Sequence, residues 1–238
     1  LFPNVMVEYQ FTNRGNTAFP KGFATELKSM VNALGDLKFT KDEIRFLDQT
    51  CPFFSQDYLE WLSRFSPNPN YVTISQNGGD LKVKVTGPWY QTIYWEMPLM
   101  AMISELYFEK TGQKPEPGWE QKAWEKGRLL KSEGCTFSDF GLRRRFSSTV
   151  HEGVIQALLP HKKLPRDDGG FTGTSNVYLA YKYGLAPVGT MAHELAMVFA
   201  VIYGFKSANR KVMDLWLEEF GDKLAVVLTD TFTTDVFL

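Results

Sequence analysis

The sequence contains few cysteines and no long, uninterrupted apolar run. Its 238 residues include two cysteines, Cys51 and Cys135, both among apolar or aromatic neighbours. Two thiols are too few for a disulfide framework or for a thiol-ligated zinc site. The longest apolar stretch, residues 97–108, is interrupted by Glu105 and is too short to cross a bilayer. No signal-peptide pattern opens the chain, so we expect a reducing, cytoplasmic setting and no membrane partner.

A surplus of one sign of charge is also lacking. Lys and Arg together number 26, Asp and Glu together number 27, and the formal net charge is −1. Such a chain has no broad electrostatic attraction for phosphate backbones, so we expect no nucleic-acid partner. Basic residues cluster only locally, above all at residues 143–145. Hydrophobic residues make up 44% of the sequence, which is enough to build one large core or two small ones.

The first half combines strand and helix patterns. Residues 5–11 alternate apolar and polar side chains, and residues 71–75 and 81–86 predict a hairpin around Asn77-Gly78-Gly79. Helix starts are indicated by N-cap side chains, in one case with a capping box. These starts are at Thr40, with Glu43 completing the box, and at Ser55. A long helix is predicted over residues 91–110, where Pro98 marks either a kink or the true first turn.

The second half alternates short strands with helices, a pattern typical of a parallel sheet or barrel. The predicted strands are residues 135–140, a strand ending at residue 172, residues 186–190 and residues 224–228. A connector at residues 112–118, with two prolines, precedes them. The predicted fold class is therefore α/β. We predict an N-terminal α/β (α+β) domain at residues 1–115 and a second α/β domain at residues 116–238.

Four polar clusters follow the four predicted strands. Because the carboxyl ends of parallel strands meet at one edge, the fold would bring these clusters together where α/β active sites are built. The clusters are Asp139-Phe140-Gly141 with three arginines, Gly173-Thr174-Ser175-Asn176, Gly189-Thr190 with His193-Glu194, and Thr229-Asp230-Thr231.

Each cluster has a functional and a structural interpretation. Arg143 and its two neighbours form either an anion clamp or a solvated basic turn. The glycine-threonine loop at Gly173 either presents N–H groups to an anion or simply caps a helix. Phe140 either stacks on a flat ring or packs in the core. His193 is either a base or nucleophile, oriented by Asp230, or a packed histidine.

Of the three histidines, only His193 is expected to be functional. His151 lies inside a predicted helix and His161 in a polar loop, so neither is assigned a role.

Four motifs occur in a fixed order along the second half. They are SDFGLRRRFS at residues 138–147, FTGTSN at 171–176, VGTMAHE at 188–194 and LTDTF at 228–232. This order resembles the bacterial nicotinate phosphoribosyltransferase family. The first half resembles the same family through CPFF at residues 51–54, Tyr58-Leu59 and GPW at residues 87–89. The resemblance extends over nearly the whole chain.

The resemblance implies the fold of the type II phosphoribosyltransferases, an N-terminal α/β domain followed by an irregular α/β barrel that is incomplete here. It implies transfer of a phosphoribosyl group from phosphoribosyl pyrophosphate to nicotinate in NAD salvage, giving nicotinate mononucleotide and pyrophosphate. It also implies coupling to ATP through a phosphorylated histidine, with Mg²⁺ on the phosphates. Family members are considerably longer, so we expect a chain truncated at both ends. The resemblance further implies a homodimer with shared active sites.

The resemblance also implies a role for individual residues. His193 falls on the phosphorylated histidine, and Asp230 on the carboxylate that supports it. Phe140 matches the aromatic residue that stacks on the pyridine ring, and Arg143 a basic residue near the ring and the sugar phosphate. Ser175 stands where nicotinamide-using relatives have an aspartate, and a serine suits a carboxylate substrate because two anions repel each other. The other residues expected at the substrates are Arg144, Gly173, Thr174 and Thr229.

Three alternatives stand beside this interpretation. The same fold could use nicotinamide or a related pyridine carboxylate. The chain could be a fragment that only dimerises or binds a nucleotide. Without the resemblance, His193 and Asp230 could serve a βα-barrel hydrolase, although no convincing nucleophile or metal-ligand set accompanies them.

Overall fold

The computed structural model describes residues 4–15, 17–224 and 226–237, with the side chains of Asp222 and Val236 excepted. Helices pack around two separate three-stranded sheets. The strands are β1 Met6–Gln10, β2 Val72–Asn77, β3 Asp80–Pro88, β4 Thr136–Asp139, β5 Gly170–Thr174 and β6 Ala186–Pro187. The helices are α1 Phe23–Ala33, α2 Lys41–Thr50, α3 Gln56–Arg64, α4 Trp89–Thr92, α5 Glu96–Thr111, α6 Trp119–Ser132, α7 Ser148–Leu158, α8 Val177–Tyr183, α9 His193–Tyr203, α10 Phe205–Phe220 and α11 Thr234–Phe237.

The first sheet is antiparallel, in the order β1-β3-β2. The predicted hairpin is confirmed: Asn77 pairs with Asp80, and Gly78 in the turn has a φ of 55°, which a residue without Cβ adopts freely. Along β3 the side chains alternate strictly between exposed and buried. The buried face packs against α1 and α5, which places the largest core cluster between the sheet and these two helices.

The predicted helix starts at Thr40 and Ser55 are confirmed. Thr40 accepts a hydrogen bond from the Glu43 N–H while the Glu43 carboxylate accepts one from the Thr40 N–H, which is the complete capping box. The predicted helix over residues 91–110 is instead α4, a 3₁₀ turn and then α5. Pro98 lies in the first turn of α5, where its missing N–H has no intrahelical acceptor to lose.

The second sheet is parallel, in the order β4-β5-β6, and α7 and α8 connect its strands. This confirms the predicted strand–helix alternation for three of the four units. Phe171 of β5 is fully buried against Ile155 and Leu158 of α7 and Leu179 of α8, so one cluster holds the sheet and both connecting helices together. The strand predicted over residues 186–190 is shorter than expected and ends at Pro187.

The fourth predicted strand, residues 224–228, is wrong. Leu224 ends a 3₁₀ helix, residues 226–228 have no regular structure, and Ala225 lies outside the described residues. The apolar run instead packs onto the helices: Val227 and Leu228 contact a cluster formed by α9 and α10. A backbone bond from the Met191 N–H to the Val226 carbonyl holds this segment beside the start of α9. Apolar content alone does not make a strand, because the same side chains can instead pack on helices.

Two helices, α6 and α10, were not predicted. Gly127 is the only buried residue of α6. The helix therefore buries no row of apolar side chains, and its sequence has no apolar stripe from which the helix could be predicted. Helix α10 follows α9 directly after Gly204, and the two pack against each other around Phe199, Ala208 and Val212.

The boundary predicted near residues 112–118 coincides with the connector between α5 and α6. One core cluster nevertheless joins Trp89 and the partly buried Val7 to α9 and α10. The division into residues 1–115 and 116–238 stays a prediction. None of the helices in the described part of the chain is long and apolar enough to cross a membrane.

Candidate active site

Three of the four predicted clusters meet at the carboxyl edge of the second sheet. Asp139 is the last residue of β4, Thr174 the last residue of β5, and Pro187 the last residue of β6. The fourth cluster does not follow a strand, yet it reaches the same region through α9. The Nε2 atom of His193 lies 3.7 Å from Oδ1 of Asp230.

Asp139 is the centre of a buried hydrogen-bond network at this edge. Its Oδ2 accepts hydrogen bonds of 2.7 Å from both His151 Nε2 and the Thr174 hydroxyl. Its Oδ1 accepts one of 3.1 Å from the Gly141 N–H, and its backbone carbonyl accepts one of 2.8 Å from the Ser175 N–H. One residue thus ties the Phe140–Gly141 turn to the loop that follows β5.

The Asp139 side chain is 10% exposed. Burial raises the pKa of this carboxyl, but the hydrogen bonds from His151 and Thr174 outweigh it, and the pKa lies below its usual value. Asp139 is therefore a buried carboxylate with its charge compensated by donors.

His151 was assigned no role from the sequence, yet it belongs to this network through its contact with Asp139. It is 4% exposed and lies on the buried face of α7, one turn before Ile155. The spacing of His151, Ile155 and Leu158 was a readable signal that the imidazole points inward. His161 is also buried, but it packs edge-on against Trp124, away from the strand ends.

Asn176 closes the network. Its side-chain oxygen accepts a hydrogen bond from the Leu179 N–H as the N-cap of α8. The orientation of the amide is thereby set, and its Nδ2 faces His151 Nδ1 at 3.5 Å. The Thr174 hydroxyl accepts from the Asn176 N–H while it donates to Asp139. The predicted role of Thr174 in substrate binding is not tested by these contacts, but its hydroxyl is already engaged.

Phe140 and Ser175 flank this network on its solvent side. The Phe140 side chain is 56% exposed, so the interpretation as a packed core residue does not hold. Ser175 is half-buried, next to the fully buried Thr174 and the buried Gly173. The two residues come from different strands, and the bond from Ser175 to the Asp139 carbonyl keeps them close.

The arginine turn is docked on α5. Arg143 forms an ion pair with Glu96, and Arg145 forms one of 2.9 Å with Glu105. Glu105 also accepts hydrogen bonds from the N–H and hydroxyl of Ser148, the first residue of α7. Arg144 is exposed and has no ion pair within the described residues. Of the two arginines predicted to bind substrate, Arg144 is the one whose guanidinium is unengaged.

His193 is the first residue of α9, and its side chain is 47% exposed. Its Nδ1 lies 3.0 Å from the Thr231 hydroxyl, within hydrogen-bond distance. Asp230, 66% exposed, is near Nε2 but beyond hydrogen-bond distance. Thr229 lies at the start of the same segment, with its hydroxyl 3.4 Å from that of Thr234. The spatial pairing of His193 with Asp230 is thus present, with Thr231 as the direct partner.

Glu194 anchors the start of α9 to the start of α4. Its carboxylate accepts a hydrogen bond of 3.1 Å from the Trp89 indole N–H. Burial raises the pKa of Glu194, with a further contribution from the negative charge of Glu96. Burial and the nearby Glu194 charge also raise the pKa of Tyr9. Sequence reasoning noted Glu194 only as a neighbour of His193, and no local signal indicated its partner 105 positions away.

Two family models match the chain. The nicotinate phosphoribosyltransferase N-terminal domain matches residues 1–104, and the nicotinate phosphoribosyltransferase family model matches residues 135–238. The nicotinate phosphoribosyltransferase of Desulforapulum autotrophicum is 43% identical over 240 residues, which take in all of this chain and 60% of that protein. The corresponding protein of Chromohalobacter salexigens is 39% identical, over 99% of this chain and 60% of its own length.

Solved structures of nicotinate phosphoribosyltransferases also match the chain. The crystal structure of nicotinate phosphoribosyltransferase from Porphyromonas gingivalis superposes with a TM-score of 0.91 at 38% identity, over all of this chain and 60% of that one. The structure from Vibrio cholerae gives a TM-score of 0.82 at 25% identity, over 99% of this chain and 56% of that one. The predicted fold class is confirmed, and the chain spans about 60% of the length of these relatives. The chain belongs to the nicotinate phosphoribosyltransferase family.

Proposed function

We propose that the protein containing this chain transfers a phosphoribosyl group from phosphoribosyl pyrophosphate to nicotinate, giving nicotinate mononucleotide and pyrophosphate. The observation that carries the proposal is the convergence of the family's motif loops at one sheet edge, with His193 at the start of α9 beside them. In this transfer the bond from ribose C1 to the pyrophosphate oxygen breaks, and a bond to the pyridine nitrogen forms. The site must hold the ring in line and stabilise the departing charge.

The ring would lie against Phe140. An exposed aromatic face at a sheet edge offers a stacking surface without disturbing the core. Ser175 would face the substrate carboxylate, because its neutral hydroxyl can donate a hydrogen bond where an acidic side chain would repel. This favours nicotinate over nicotinamide, the closest alternative substrate.

The phosphates would bind where positive charge and N–H groups converge. Arg144 supplies an unengaged guanidinium, and Arg143 could move from Glu96 to a phosphate. Gly173, Thr174 and Thr229 would lie between the ring and His193. The start of α9 has no side-chain cap among its described contacts, and its N–H groups favour an anion there.

ATP coupling would proceed through His193. A neutral imidazole nitrogen attacks the γ-phosphorus of ATP, the bond to the β,γ-bridging oxygen breaks, and ADP leaves with that electron pair. Thr231 on Nδ1 and Asp230 near Nε2 would orient the ring and disperse the positive charge that the imidazole gains.

Magnesium would accompany the phosphates. No group of three or more His, Cys, Asp or Glu side chains in the described residues could hold a metal ion by itself. Mg²⁺ is commonly held by one or two carboxylates together with substrate phosphates, and the exposed Asp230 fits that limited role. When bound, the ion neutralises phosphate charge.

The expected result with γ-labelled ATP is a label on the wild-type protein that is stable to base and labile to acid, and its loss in His193→Ala. His161→Ala is the matched control, because it removes a histidine away from the strand ends. Equal labelling of wild type and His193→Ala would overturn the role of His193. A protein that binds ATP but forms neither phosphohistidine nor product would support the alternative of a non-catalytic fragment.

We also propose a cytoplasmic homodimer. Both described cysteines are free thiols, which suits a reducing compartment. Large apolar side chains of α9 and α10 are exposed, Val201 to 85% and Phe205 to 72%, and such surface would be covered by the rest of a full-length chain or by a second copy. Light scattering on the full-length protein would test the dimer, and a monomer at micromolar concentration would refute it.

A further inference from the structure

The two loops that would hold the pyridine ring come from different strands. Phe140 follows β4, and Ser175 follows β5. Both loops are hydrogen-bonded to Asp139. Its side chain accepts a hydrogen bond from the Gly141 N–H, and its backbone carbonyl accepts one from the Ser175 N–H. The relative position of the two loops therefore depends on how firmly Asp139 itself is held.

His151 is the donor that holds Asp139 from the opposite side. It comes from α7, whereas Thr174, the other side-chain donor, belongs to the same sheet as Asp139. His151 thus connects the sheet edge to the helix behind it. At 4% exposed and within 2.7 Å of the carboxylate, its contact is shielded from water and correspondingly strong.

The Asn176 amide favours one tautomer of His151. The Leu179 N–H sets the Asn176 amide so that its nitrogen faces His151 Nδ1. Nδ1 is then an acceptor, and the ring proton is on Nε2, where it is donated to Asp139. Position 141 also has no room for a side chain, because a Cβ there would lie 2.9 Å from Asp139 Oδ1.

We propose that Asp139 and His151 are positioning residues for the pyridine substrate: without touching it, the buried Asp139–His151 contact fixes the distance between Phe140 and Ser175. This inference rests on the proposed function and extends it to residues behind the site. A pocket assembled before the substrate arrives loses less entropy on binding, so loosening the network weakens nicotinate binding more than it slows the chemical step.

The test compares His151→Leu with His151→Gln in the full-length protein. Leucine removes both hydrogen bonds, whereas a glutamine amide can donate to Asp139 and accept from Asn176. We expect His151→Leu to raise the KM for nicotinate about tenfold with a smaller change in kcat, and His151→Gln to remain within about threefold. Nicotinate binding measured by calorimetry without phosphoribosyl pyrophosphate should weaken in parallel.

His161→Leu is the matched control, since it removes the other buried imidazole without touching Asp139, and it should leave the KM unchanged. A lowered melting temperature with unchanged nicotinate affinity in His151→Leu would overturn the inference. If His151→Leu does not fold, Asp139→Asn provides the same comparison. The single amide oxygen of asparagine cannot accept hydrogen bonds from both Gly141 and His151. An unchanged KM for nicotinate in Asp139→Asn would equally overturn the inference. Absence of turnover in the wild type would instead count against the proposed function.

Discussion

Replacement of Gly173 by alanine is expected to separate β5 from β6. Gly173 is paired in register with Ala186, and a Cβ at this position would lie 2.1 Å from the Ala186 carbonyl oxygen and 2.7 Å from Cγ2 of Val188. The nearest atom belongs to the backbone, so no rotamer change can relieve the contact. The strands have to part by roughly 1 Å or more before the contact is acceptable.

The magnitude follows from two contributions. Overpacking of a buried site costs about 1–3 kcal/mol, and the bond from the Val188 N–H to the Thr174 carbonyl, 3.1 Å long, would be strained or lost at about 1 kcal/mol more. We therefore expect Gly173→Ala to lower the free energy of unfolding by about 3 kcal/mol. For a chain of this size, that corresponds to a fall in Tm of roughly 6–12 °C.

Gly189→Ala is the matched control. Gly189 belongs to the second glycine-threonine pair at the same edge, but it is exposed, and a Cβ there would have no neighbour within 4 Å. Its effect on stability should stay within about 0.5 kcal/mol. Thermal and urea denaturation of both variants would measure the difference. Equal Tm values for Gly173→Ala and Gly189→Ala would refute the described packing of β5 against β6.

Two further predictions concern single side chains. Thr40→Ala removes the capping box of α2 and should cost about 1 kcal/mol in urea denaturation, and no change would contradict the described cap. Glu194→Gln should stabilise the protein at neutral pH, because burial raises the pKa of Glu194 in the folded state above its unfolded value. Wild-type stability should therefore rise as pH falls from neutral through the raised pKa to the ordinary glutamate value, and Glu194→Gln should lack this rise. Parallel stability–pH curves for the two proteins would contradict the buried position of Glu194.

Local signals in the sequence predicted the elements that depend on local chemistry. The hairpin around Gly78 and the cap at Thr40 are determined by a few adjacent residues, and both are present. The parallel strand–helix units were also readable, because their apolar runs are short and regularly spaced. Residues 224–228 have the same apolar pattern, but they pack on α9 and α10, a choice that depends on which surfaces are available in the folded chain.

The site was predictable as a set of loops but not as a network. The motifs identified Phe140, Ser175, His193 and Asp230, and the structure brings His193 near Asp230. His151 was assigned no role because its partner Asp139 is 12 positions away and in another element. Hydrogen bonds between distant elements leave little trace in sequence spacing, even where they organise the site.

The most direct test of the central claim is formation of nicotinate mononucleotide by the full-length protein from nicotinate, phosphoribosyl pyrophosphate, ATP and Mg²⁺. The account predicts product with nicotinate, strongly reduced product in His193→Ala, and at least about tenfold lower kcat/KM with nicotinamide. No product from nicotinate, or equal use of nicotinamide, would contradict it.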